Sequence, residues 1–152
     1  MLKIKTLFLL LCIIFCAAMV SGQINYTTKN SKAIKLFDKA MEYFQQKDYM
    51  YCESSLLKAI KEDEYFIEAH MLLGQIYDEQ KKYEQAIISY NKVIEIDPDF
   101  FSGIYFNVAD IQFSLGKYED ARTNLEKYLS YDKLEPRVSQ KATFLLKCCE
   151  FA

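Results

Sequence analysis

The sequence predicts an all-α fold in which three helical hairpins stack side by side and one further helix closes the array. Three observations predict it. Apolar residues recur at spacings of three and four over 67–100, which marks helices with one buried face. That segment's pattern returns on either side at offsets of 34 and 35 residues. Only four glycines and two prolines interrupt the 152 residues. With 51% of residues apolar and a formal charge of −2, the chain suits one globular or repeat domain, and nothing in that balance asks for nucleic acid.

The central hairpin sets the register. Ala69, Leu72, Leu73, Ile76 and Tyr77 share one face of a first helix; Ala86, Ile87, Tyr90, Val93, Ile94 and Ile96 share one face of a second. Gln80-Lys81-Lys82 leaves room only for a tight reversal, so the helices lie antiparallel and touch. Gly74 and Ala86 supply the small residues wanted where they cross. Asp97-Pro98 stops the second helix, because proline has no N–H and drives the residue before it out of the α region.

His70-x-x-Leu73-Gly74-x-x-Tyr77, then Ala86-x-x-x-Tyr90, then Pro98, resembles the tetratricopeptide repeat (TPR) pattern, with His where the family prefers Trp and Tyr where it prefers Phe. One such pair cannot bury its apolar face alone, so neighbours are required. The first repeat, 33–66, places Ala40, Tyr43, Tyr49, Cys52 and Ala59 where Gly74, Tyr77, Tyr83, Ala86 and Val93 stand. Glu64 replaces the proline there, which predicts a less abrupt helix end. The third repeat, 101–135, sets Tyr118-Glu119-Asp120-Ala121 against Tyr83-Glu84-Gln85-Ala86, with the added residue placed at Asp99-Phe100-Phe101. Ala109 takes the place of Gly74, Gly116 serves the turn through a positive φ, and Asp132 ends the helix. The resemblance implies a right-handed solenoid.

The flanks read differently. In 1–22, Lys3 and Lys5 precede an apolar run from Leu7 to Val20, and small residues follow at Ser21-Gly22, which predicts a secretory signal cleaved before Gln23. An uncleaved membrane anchor needs about 20 apolar residues, more than this run provides. No small residue precedes Cys12 or Cys16 as a lipoprotein signal would require. Cleavage leaves a mildly acidic chain with no membrane insertion. Residues 23–32 form a polar tail without periodicity; Asn25-Tyr26-Thr27 in it matches a short glycosylation pattern, and Ser31 is the expected N-cap of the first helix. Residues 136–152 predict a capping helix that begins at Pro136 and buries Val138, Ala142, Leu145, Leu146 and Cys149. The same helix reads equally as the start of a fourth repeat in a longer natural protein.

Catalytic chemistry finds no footing. His70 is the only histidine and sits where the repeat packs an aromatic, so it reads as structural; the isolated glycines form no phosphate loop. Acidic runs such as Glu62-Asp63-Glu64 read as solvated helix ends. The chain is expected to be no enzyme, with no cofactor and no metal site. Cys52 occupies the small crossing position and reads as packing, while Cys148 and Cys149, adjacent on one helix, cannot readily bond to each other.

Function is therefore expected on a surface. In the family the first helix of each repeat lines a concave groove, which selects Phe37, Met41 and Phe44 from the first repeat and Met71, Gln75 and Asp78 from the second. The third contributes Phe106, Asn107, Asp110 and Phe113. The resemblance implies a protein or peptide partner. The family's carboxylate clamp of lysine, arginine and asparagine is matched only by Asn107, which disfavours that subclass. Against the groove stands a plainer reading, in which Phe37, Met41 and Phe44 pack beneath the N-terminal tail or between helices. Signal and repeats together resemble the N-terminal part of bacterial envelope proteins of the Bacteroidota, in which TPRs precede PD40 repeats and an OmpA-like domain. That implies an exported scaffold in the periplasm or cell envelope, or a structural module of a peptidoglycan-associated or secretion-associated assembly at the outer membrane.

Overall fold

The structure, a computed structural model, describes residues 25–151; the signal reading of 1–22 lies outside them. Helices α1 (Ser31–Gln45), α2 (Tyr49–Glu62), α3 (Ile67–Glu79), α4 (Tyr83–Ile96), α5 (Gly103–Ser114), α6 (Tyr118–Leu129) and α7 (Pro136–Glu150) make up all the regular structure among the described residues. They pair as three hairpins, each hairpin touches the next through α2 on α3 and α4 on α5, and α7 packs on α6 and α5. The result is an all-α solenoid with a closing helix.

One turn geometry serves all three hairpins. Lys47 (φ 58°), Lys81 (φ 59°) and Gly116 (φ 74°) occupy the left-handed region at equivalent positions. In each, the N–H of the left-handed residue donates to the carbonyl three back, and the next N–H to the carbonyl five back: Lys82 to Tyr77 at 2.8 Å, Asp48 to Tyr43 at 2.9 Å, Lys117 to Gln112 at 2.9 Å. This is the Schellman closure, and it satisfies carbonyls that the helix end leaves free.

The second helices end through aspartate. Asp63 and Asp97 share an extended backbone (φ −150° and −149°), and the carboxylate of each accepts the N–H two residues on at 3.0 Å. Such Asx turns break a helix without proline's help. The softer end expected at Glu64 is therefore absent: α2 stops as sharply as α4. The third repeat differs, since α6 ends at Leu129, ahead of the aspartate expected to stop it.

At the N-terminus the tail is built into the fold. Asn30, one residue before the expected cap, accepts from the N–H groups of Lys32 and Ala33 through Oδ1, and its Nδ2 donates to the Glu62 carbonyl at 2.9 Å. Tyr26 packs edge-on against Phe37 and Phe66, with ring centroids 5.3 and 5.7 Å away, and donates its hydroxyl to Asp38 at 2.9 Å. Thr28 is buried and donates to Asp63. The Thr27 hydroxyl accepts the Ile67 N–H at 3.2 Å and donates to Glu68, which also accepts the Thr27 N–H at 3.0 Å. Helix α3 has no capping side chain of its own at Phe66, so Thr27 caps it from 40 residues away.

The core fills the seams between hairpins. Leu56, Phe66, Ile76, Val93, Ile104, Val108 and Leu125 are fully buried, and so are the small crossing residues Cys52, Ala86 and Ala121. Gly74 lies under the Tyr90 ring: a Cβ there would come within 2.5 Å of Tyr90 Cε1. Tyrosines tie adjacent repeats, with Tyr77 on α3 donating to Glu53 of α2 at 2.9 Å and Tyr49 on α2 to Glu79 of α3. His70 is buried, and its Nε2 lies 3.0 Å from the Glu64 carbonyl; burial pushes its pKa below the ordinary value.

Candidate functional site

The first helices α1, α3 and α5 set one residue per turn along the inner wall. Between them opens a cleft of about 350 Å³, lined by Met41 and Phe44 of α1, Glu68, Met71, Leu72 and Gln75 of α3, Tyr90 of α4, Asn107 of α5, and Phe101. A second cleft of about 340 Å³ lies between α5, the end of α6 and the start of α7, with Phe106, Tyr128, Leu134 and Val138 as its apolar walls. Phe101 and Asn107 border both clefts. Phe101 is 47% exposed, and its ring stands over Gly103, where a Cβ would come within 2.6 Å of it. The missing side chain at 103 is what lets the ring divide the groove.

Of the ten residues picked from sequence, Met41, Phe44, Met71, Gln75, Phe106 and Asn107 line these clefts. Phe37 does not: it is 6% exposed, under Tyr26 and against Phe66 at 5.0 Å. The plainer reading holds for that residue; Met41 and Phe44 also pack against the core but line the cleft as well. Phe113 packs edge-on against Tyr118 at 5.3 Å. Asp78 and Asp110, both half-buried, lie one turn beyond Gln75 and Asn107 on their helices and line neither cleft. Sequence reasoning missed Leu72, Tyr90 and Phe101 of the first cleft and Tyr128, Leu134 and Val138 of the second. Leu72 and Tyr90 were assigned to the apolar faces, and only the gap between helices shows that those faces also floor the cleft.

The charges on this wall are mostly spoken for. Glu68 is held by Thr27; Glu79 accepts from the Tyr49 hydroxyl and from Gln75 Nε2 at 3.2 Å; Asp110 pairs with Lys141 of α7 at 2.8 Å. Lys141 Nζ also lies over the Phe106 ring, 5.3 Å from its centroid. Asp78 is the exception, with no hydrogen bond or ion pair to its carboxylate among the described residues. Burial first, then Asp110 and Glu79, raises its pKa. Among the described residues no three His, Cys, Asp or Glu side chains converge as metal ligands would. The arrangement offers apolar area, amides and a carboxylate along one wall.

Comparison with known proteins agrees with this geometry. Family models of the tetratricopeptide repeat match residues 67–100 and 102–133. No curated protein sequence matches the chain. Among solved structures, the first TPR of Spaghetti (RPAP3) bound to the HSP90 peptide SRMEEVD superposes with a TM-score of 0.70 at 20% identity, over 80% of this chain and 95% of that one. A TPR domain of yeast Sti1 in a pHsp70 complex gives 0.66 at 21%, over 78% and 96%. The type III secretion chaperone SycD of Yersinia enterocolitica, in complex with a peptide of the translocator YopD, gives 0.69 at 20%, over 77% and 91%. With two repeats matched in sequence, three in fold, and the crossing and turn positions in register throughout, the chain is a tetratricopeptide-repeat protein.

Proposed function

We propose that this protein is an exported scaffold that binds a peptide segment of a partner protein in its inner groove and carries out no catalysis. The observation that carries the reading is the first cleft: three helices from three successive repeats each give it side chains, and most of its lining is apolar. Apolar side chains turned to solvent stabilise nothing until something covers them, and an inner wall is where a narrow partner reaches several at once. The neighbours support it by analogy, since the structures of Spaghetti and SycD each hold a peptide. Export to the periplasm or envelope rests on the pattern of 1–22. Two measurements test the whole. A reporter active only after export, fused behind residues 1–22, is expected to work, with the mature chain starting at Gln23. Affinity purification from an envelope extract is expected to recover a partner that Met71→Glu loses while its helical circular dichroism stays intact. A partner held equally by both proteins retires the groove.

The alternative role, as a structural module of a peptidoglycan-associated or secretion-associated envelope protein, draws on α7. Phe144 is 65% exposed on that helix and lines neither cleft, and it offers an apolar contact to a sister domain. Under this reading Phe144→Ser abolishes assembly and Met71→Glu does not.

A further inference from the structure

We infer that the inner groove takes an extended peptide carrying two apolar side chains two positions apart and a lysine or arginine that pairs with Asp78. This rests on the groove reading above and specifies its ligand.

The apolar pair follows from the dividing ring. The two clefts share Phe101 and Asn107 as a common border, so a chain crossing one enters the other. In an extended chain, residues i and i+2 point to the same side, about 7 Å apart. One side chain on each flank of a single aromatic ring matches that spacing. The Asn107 amide at the border can donate to and accept from the intervening backbone, as side-chain amides do.

The cation follows from the charges left over. Every other carboxylate on this wall is already engaged: Glu68 by Thr27, Glu79 by Tyr49 and Gln75, Asp110 by Lys141. Asp78 is half-buried beside two of them and has no donor among the described residues; Lys141 acts on it only through its charge, so its carboxylate is free to take a donor from a ligand. Tyr90 lines the first cleft at 3% exposure, within reach of the Asp78 charge, and its hydroxyl likewise has no partner among the described residues. A ligand ammonium or guanidinium satisfies Asp78, and a ligand carbonyl can accept from Tyr90. An acidic peptide such as SRMEEVD, bound by the Spaghetti domain, would instead bring carboxylates to a wall that already has too many.

The test is selection of random peptides displayed on phage, with the purified wild-type chain and its Asp78→Asn variant as baits. Wild type is expected to enrich an apolar-x-apolar core with Lys or Arg nearby; Asp78→Asn is expected to keep the core and lose the cation. By fluorescence anisotropy, changing that Lys to Glu in a selected peptide should weaken wild-type binding at least about tenfold, and binding to Asp78→Asn less than about threefold. A core enriched without charge preference, or with Asp or Glu, overturns the cation and leaves the groove standing. Enrichment by neither bait, or enrichment that Met71→Glu leaves unchanged, overturns both.

Discussion

At the scale of single residues, the hairpin crossing is a matched set of small and large side chains. Gly74 faces Tyr90, whereas the equivalent positions pair Ala40 with Leu56 and Ala109 with Leu125. Where the larger ring packs, the helix must drop its Cβ. Gly74→Ala is therefore expected to destabilise by about 1–3 kcal/mol through overpacking, as measured by urea unfolding. In a Tyr90→Leu background the same change should become neutral, or stabilise by up to about 1 kcal/mol, because alanine is the better helix former. Equal costs in both backgrounds would show that Tyr90 is not the obstacle. Gly74 was legible from sequence as a crossing residue because its register is periodic. Why it is glycine was not, since that depends on a ring 16 residues further on.

At the scale of elements, the helices could be read because each buries one face, and burial writes a period into the letters. Turns and straps leave no such trace. Lys47 and Lys81 hold left-handed conformations that only Gly116 advertises, since the two hydrogen bonds of the closure outweigh the Cβ clash. Lys81→Gly should then stabilise by roughly 0.5–1 kcal/mol and Gly116→Lys destabilise by a similar amount, read from thermal or urea midpoints. The N-terminal strap hid for a related reason: its contacts reach residues far along the chain. Phe37 shares its register position with Met71 but does not line the groove, because Tyr26 and Phe66 bury the one and not the other. Thr27→Val is expected to cost about 1 kcal/mol, like the loss of an ordinary helix cap, and to speed hydrogen exchange at the Ile67 amide. Unchanged exchange there would mean that Thr27 does not cap α3.

At the scale of the molecule, a solenoid is only as stable as its joints, because each repeat touches just its neighbours. Two of those joints depend on protonated phenols. Tyr77 donates to Glu53 across the first seam, and Tyr26 donates to Asp38 while it pins the strap. Burial, and then the accepting carboxylate, pushes both pKa values up to about 12 from an ordinary 10. Burial pushes the Cys52 thiol, packed at the first crossing, up to about 11 from 9. All three fold with raised pKa values, so the unfolded chain gives up its protons first. Their stabilisation is intact below the unfolded values and is lost as pH rises, starting near 9 for Cys52 and running from 10 towards 12 for the tyrosines. Urea midpoints should thus hold level up to about pH 9 and then fall, more steeply than in a Tyr26→Phe, Tyr77→Phe, Cys52→Ala variant of lower stability at neutral pH. The two proteins differ only at these three positions, so the difference between the two slopes isolates the joints. Parallel curves would place the alkaline weakness outside these seams, whereas converging curves would show that the repeats come apart where the phenols hold them.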